Sequence, residues 1–160
     1  MKSSIKIRYA NIEDINQILK LWKELMDFHQ PMDKYFEMNP EAMDHFKPHL
    51  EKCITSDEKI VLVALDTQTY TIVGYLIGEI NLYPPVYKIK LRGSIGSIVV
   101  TEKYRNMNIG TKLVEHAKKW YNNQGIVRIH AHIAKSNSIS LSFWKNMGFK
   151  PIFEEMYYEI

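Results

Sequence analysis

With 160 residues, a formal net charge of +3 and 46% hydrophobic residues, the chain has the composition of one ordinary globular domain, expected to span residues 1–160. No uncharged apolar run approaches the ~18–20 residues of a membrane span, and the charged start MKSSIKIRYANIED leaves no room for a signal-peptide core. Scattered Lys and Arg make no block for nucleic acid, so neither a membrane nor a nucleic-acid partner is expected. A chain of 18.9 kDa folds to roughly 8,300 Å² of exposed surface, enough burial for a core without staples. Cys53 has no partner cysteine, which points to a reducing, cytoplasmic setting.

Residues Ile5 to Tyr9 alternate like a first strand. Asn11 then caps a helix, with Asp14 three residues on, and Ile12, Ile15, Leu19, Trp22 and Met26 form its apolar stripe. Residues 28–39 are irregular and polar. Asn39-Pro40 predicts a second helix running to about Cys53, kinked or shortened by Pro48. Residues 60–65 and 70–83 read as a hairpin that Pro84-Pro85 ends. Residues 93–101 form the next strand. Ile109, Leu113, Ala117 and Trp120 follow at helical spacing, and Gly125 stops that helix. A strand over 127–134, a short helix over about 137–147 and a closing pair of strands complete the pattern. A sheet crossed by helices on both faces makes an α/β or α+β fold.

The stretch 98–120, IVVTEKYRNMNIGTKLVEHAKKW, places a polar turn between a strand and a helix. The first N–H groups of a helix are unpaired and its dipole favours negative charge, so this is an anion site. A phosphate loop of the Walker type would need glycine at position 105, which is Arg105. A dinucleotide fingerprint needs three spaced glycines, and only Gly110 is present. The run Arg105-Asn106-Met107-Asn108-Ile109-Gly110, followed by Asn137 and by Trp144-Lys145-Asn146-Met147-Gly148-Phe149, resembles the GNAT superfamily of N-acetyltransferases. The likeness extends in element order over roughly residues 5–160.

The resemblance implies a mixed, largely antiparallel sheet of six to seven strands, and acetyl-CoA as cosubstrate. Its pyrophosphate would rest on the N–H groups of Asn106, Met107, Asn108, Ile109, Gly110 and Thr111. Its pantetheine arm would pair with the edge of Ile98, Val99 and Val100, which would also polarise the thioester carbonyl. Asn137 would touch the cofactor arm, Arg105 a phosphate or a surface glutamate, and Trp144 would serve as core and cofactor wall together. Asn108 stands where the family has its first glycine. It serves either a left-handed backbone angle, which asparagine tolerates, or a close phosphate approach, which a side chain would weaken. Trp144 replaces a tyrosine that many relatives use to protonate the thiolate, and an indole is no such acid.

An amine substrate with a pKa near 10.4 must lose a proton, which calls for a base. Relatives with a glutamate on the fourth strand have it where this chain carries Gly96 and Ser97. His132, at the place of a fifth-strand glutamate, and Glu79 are the candidates, beside a water chain or another residue. His130 and His132, like His45 and His49, read as ordinary histidines rather than metal ligands, and no metal is expected. The aromatic residues Trp120, Tyr121 and Phe143 read as core, and the methionines at 26, 32, 38 and 43 as core fillers or a pliable pocket. Glu24, Asp27, Asp33, Glu37, Glu41 and Asp44 make the region of the first two helices acidic, which suits a cationic amine of a small molecule or a protein. By analogy with the family, the terminal strands pair across a homodimer. The function expected is acetyl-CoA-dependent N-acetyl transfer by direct attack in a ternary complex. The alternatives are an acyl-CoA sensor without turnover and a transferase for longer acyl chains.

Overall fold

β-Branched and aromatic runs set the sheet, in a computed structural model that describes residues 4–160. The strands are β1 (Ile5–Tyr9), β2 (Lys59–Asp66), β3 (Thr71–Leu82), β4 (Leu91–Val100) and β5 (Ile129–Ala131). They lie side by side in chain order. The first three pairings are antiparallel, whereas β5 runs parallel to β4 because a helix carries the chain across between them. The helices are α1 (Ile15–His29), α2 (Ala42–Thr55), α3 (Ile109–Asn123) and α4 (Ser138–Asn146). α1 and α2 cover one face, where Ile18, Leu50, Val63, Tyr75 and Val99 pack together. α3 and α4 cover the other, over Leu62, Leu76, Ile95, Leu113 and Trp144. The middle strands are thus buried on both sides, which is why β2 and β3 read as nearly continuous apolar runs.

The entry into α1 follows its sequence signal. Asn11 and Asp14 form a capping box, and the Asp14 carboxylate also takes two hydrogen bonds from Arg8, at 2.6 and 2.8 Å. A short 3-10 turn intervenes, so Ile12 is exposed, and Ile18 and Leu21 complete the buried stripe. Asn39 accepts a hydrogen bond from the Glu41 N–H, which holds Pro40 in a turn ahead of α2 rather than inside it. α2 continues through Pro48 to Thr55 without a break, the proline lying on its exposed side.

The sheet has five strands among the described residues, not six to seven. The strand expected over 127–134 pairs only at Ile129–Ala131, and the closing pair of strands is absent. Pro151 removes a ladder donor, and Glu154, Glu155 and Glu159 interrupt the apolar alternation. Residues 151–160 are exposed throughout and take no ladder partner.

Candidate functional site

Two sides of β4 are treated differently. β3 pairs with it from Leu82↔Leu91 to Gly74↔Val100, but β5 pairs only at Gly93, Ser94 and Ile95. From Gly96 onward the outer edge of β4 has no strand partner among the described residues. A bulge marks the change, because Ile77 faces Ser97 while Gly78 faces Ile95, leaving Gly96 as the extra residue. Gly96 is exposed, and a Cβ there would meet nothing within 4 Å. Ile98 and Val100 pack against the α3 side and Val99 against the α1 side, so the strand is held by its side chains while its outer backbone row has no strand partner among the described residues.

The chain leaves that edge through a tight turn. Tyr104 and Arg105 donate backbone hydrogen bonds to Thr101 and Glu102. Asn106 (φ 62°) and Asn108 (φ 59°, ψ 18°) then take left-handed angles, and α3 starts at the buried Ile109. Asparagine is the non-glycine residue that enters this region most readily, so Asn108 fills the conformational role expected of a glycine. Alternating angles of this kind aim successive N–H groups into one concavity, next to the unpaired donors of the first turn of α3. Gly110 meets a second demand: a Cβ there would lie 3.3 Å from the Phe143 ring of α4. Arg105 folds back, its Nε donating to the Val100 carbonyl at 3.2 Å.

Two expected cofactor residues have structural work of their own. Asn137 is buried and caps α4, its Oδ1 accepting from the Ser140 N–H, while its Nδ2 lies 3.3 Å from Nε2 of His29 at the end of α1. Trp144 is 3% exposed and packs against Phe143 and Phe149 inside the core.

On the α1–α2 face, four side chains stand in one row across four strands: Lys59, Glu79, Ser94 and His130, each paired with the next. Lys59 bonds Glu79 at 2.6 Å and holds its carboxyl below the usual range despite partial burial. Asn81 donates to Ser94 at 2.7 Å. The Tyr83 hydroxyl lies 2.6 Å from Nε2 of His130, and the Arg92 guanidinium sits over the Tyr83 ring at 4.9 Å. Arg92 Nε is buried without a hydrogen bond. Burial lowers the His130 pKa, and Arg92, Arg128 and His132 lower it further. His132 lies just past the end of β5 and is exposed, with no hydrogen bond among the described residues. Sequence reasoning singled out Glu79 in this row, did not name Ser94 or Tyr83, and took His130 as an ordinary histidine. The available signal was the period-two polar series 79, 81, 83 at the end of an otherwise apolar strand.

No helix is long and apolar enough to cross a membrane among the described residues. A family model described as the acetyltransferase (GNAT) family matches residues 16–149. An N-alpha-acetyltransferase of Sulfurisphaera tokodaii is 27% identical over 156 residues, covering 92% of this chain and 81% of that protein. An uncharacterised N-acetyltransferase of Bacillus subtilis, YobR, is 32% identical over 65 residues, 41% of this chain and 26% of that protein. Among solved structures, a variant of the BH1408 protein of Bacillus halodurans superposes with a TM-score of 0.87 at 18% identity, over 97% of this chain and 99% of that one. The aminoglycoside 6'-N-acetyltransferase AAC(6')-Ih of Acinetobacter baumannii gives 0.77 at 19% identity, over 98% and 97%. The aminoglycoside N-acetyltransferase AAC(6')-Iy in complex with CoA gives 0.76 at 18%, over 98% and 94%. With more than half of its length matched, the chain belongs to the acetyltransferase (GNAT) family of acetyl-CoA-dependent N-acetyltransferases.

Proposed function

We propose that this protein transfers an acetyl group from acetyl-CoA to a cationic primary amine by direct attack in a ternary complex. The observation that carries the reading is the open edge of β4 running straight into the asparagine turn. A string of amides can pair along Ile98, Val99 and Val100 as an added strand, while the pyrophosphate sits on the N–H groups from Asn106 to Thr111. A donor on the same edge then faces the thioester oxygen where charge develops. Trp144 supports the site from inside the core. Asn137 helps to place α4 and the end of α1 beside the cofactor arm.

For the acceptor, the likeness to aminoglycoside acetyltransferases and to an N-alpha-acetyltransferase supports an amine. In the α1–α2 region Lys23 pairs Asp27, His45 lies 3.7 Å from Glu41, and Asp33 caps a short turn. Glu24, Glu37 and Asp44 make no ion pair among the described residues, and these are the carboxylates that would receive a cation. A thiol-release assay over aminoglycosides, polyamines and peptide α-amines tests the reading. Acceptor-dependent release of CoA supports it. Tight acetyl-CoA binding with no release from any amine supports the sensor instead.

The partner reading is a second copy of this chain. The exposed surface is 11273 Å², against roughly 8,300 Å² expected at this mass, and Phe153, Met156, Tyr157 and Tyr158 each lie more than 70% exposed. Light scattering should report a dimer that loses its second copy when residues 151–160 are removed.

A further inference from the structure

Neither residue first expected as the base is well prepared for it. Glu79 is committed to Lys59, which holds its carboxyl below the usual range and makes it a weaker proton acceptor. His132 lies beyond the ladder, where nothing orients its ring. The position next to both is different. His130 pairs with Ser94 one residue before β4 and β5 part company. Its neighbours Ile129 and Ala131 pack on the α3–α4 side, so its ring stands on the α1–α2 side, in the polar row that leads to the open edge. Nε2 is fixed by the Tyr83 hydroxyl, and Tyr83 in turn is fixed by Arg92. Nδ1 makes no hydrogen bond among the described residues.

We propose that His130, oriented by Tyr83, removes the proton from the acceptor amine. This rests on the N-acetyltransferase reading and names the group that makes its nucleophile. In the neutral ring Nε2–H donates to the Tyr83 oxygen, which leaves the Nδ1 lone pair for the substrate. One proton passes from the ammonium to Nδ1, and the free amine forms a bond to the thioester carbon. Collapse of the tetrahedral intermediate breaks the C–S bond. The second N–H proton ends on the departing thiolate, and His130 returns its own proton to water.

The titratable and charged groups facing His130 are Tyr83 after β3, Arg92 on β4, Arg128 before β5 and His132 after it. Glu79 stands two strands away, already neutralised by Lys59. Burial, and after it Arg92, Arg128 and His132, disfavour the imidazolium and so favour the basic form of the ring. Tyr83 is a positioning residue, acting through His130.

The test is the pH dependence of kcat/KM for the wild type, His130→Gln, Tyr83→Phe and His132→Gln, with acetyl-CoA affinity measured by calorimetry on each. In the wild type, kcat/KM rises through a pKa below the ordinary histidine value. His130→Gln loses about 10²–10⁴-fold in kcat/KM and that acid limb, with acetyl-CoA affinity unchanged. Tyr83→Phe lowers kcat and moves the limb to lower pH, because the oxygen that stabilises the imidazolium is gone. A purely structural role for Tyr83 would leave the limb in place. Retention of the wild-type limb in His130→Gln, or its loss in His132→Gln alone, overturns the assignment and leaves the transferase reading standing. A wild type that binds acetyl-CoA but acetylates no amine overturns both.

Discussion

The two halves of β4 are built on opposite plans. From Gly93 to Ile95 the strand has a partner on both sides, and Tyr121 of α3 lies across it. That tyrosine is fully buried, and its hydroxyl donates to the Ser94 carbonyl at 2.8 Å. Gly93 is required there because a Cβ would lie 2.5 Å from the Tyr121 ring. From Gly96 to Val100 the strand keeps one partner, and its other backbone edge is open. The first half fixes position through packing. The second holds its place through Ile98, Val99 and Val100 and keeps its hydrogen-bonding capacity for another molecule. One strand thereby serves as a fixed anchor and an unfilled ladder, joined at the Gly96 bulge.

The sharpest way to break this comparison is to give both halves a side chain. Gly93→Ala should cost about 3 kcal/mol through overpacking against Tyr121, while Gly96→Ala should be close to neutral, both read by urea unfolding. A similar cost at the two sites would mean that Gly96 is not open. Next comes the support of α1, which covers the inner face of the strand. Asp14→Asn should cost about 2 kcal/mol by removing charged hydrogen bonds to Arg8 and the Asn11 N–H. Burial raises the Asp14 pKa, but these bonds outweigh it and the net shift is downward. Its contribution is therefore complete above the unfolded carboxylate value and is lost as pH falls through the lower folded value. Unfolding followed at falling pH should show that loss in the wild type and not in the variant.

The turn beyond the open half gives a smaller effect on stability and a large one on ligand. Asn108→Val should cost about 1–2 kcal/mol, since a β-branched residue is strained at φ 59°, and should abolish acetyl-CoA binding. Asn108→Gly should retain binding, as measured by calorimetry. Equal binding by Val and Gly variants would separate the turn's geometry from the cofactor. Smallest is Arg105→Ala, which should leave the melting temperature unchanged and weaken acetyl-CoA a few-fold at low salt, less at high salt. The reason is that Arg105 is exposed and already shares its Nε with Val100.

Much of the frame was legible in the sequence. The capping pair Asn11 and Asp14, the hairpin of β2 and β3, and the helix from Ile109 are local patterns, and they appear where the periodicity puts them. Of the two roles the sequence left open for Asn108, a left-handed angle or a close phosphate approach, its φ of 59° shows the first. What could not be read was long-range pairing. The length of β5 depends on where it parts from β4, and no residue of Val127–Ala134 announces that. The row Lys59–Glu79–Ser94–His130 joins residues from four strands, so only the register brings it together. Trp144 was readable as a core ring, and is one, whereas Asn137 was readable as a motif position but not as the cap of α4.

The most direct test of the account is amide hydrogen exchange along β4 with and without acetyl-CoA. The open-edge account predicts that ligand protects alternate amides between Gly96 and Val100 together with the Asn106–Thr111 turn, while Leu91–Ile95 is unchanged. Protection confined to the first half of the strand, or none in the second half at saturating acetyl-CoA, would contradict it.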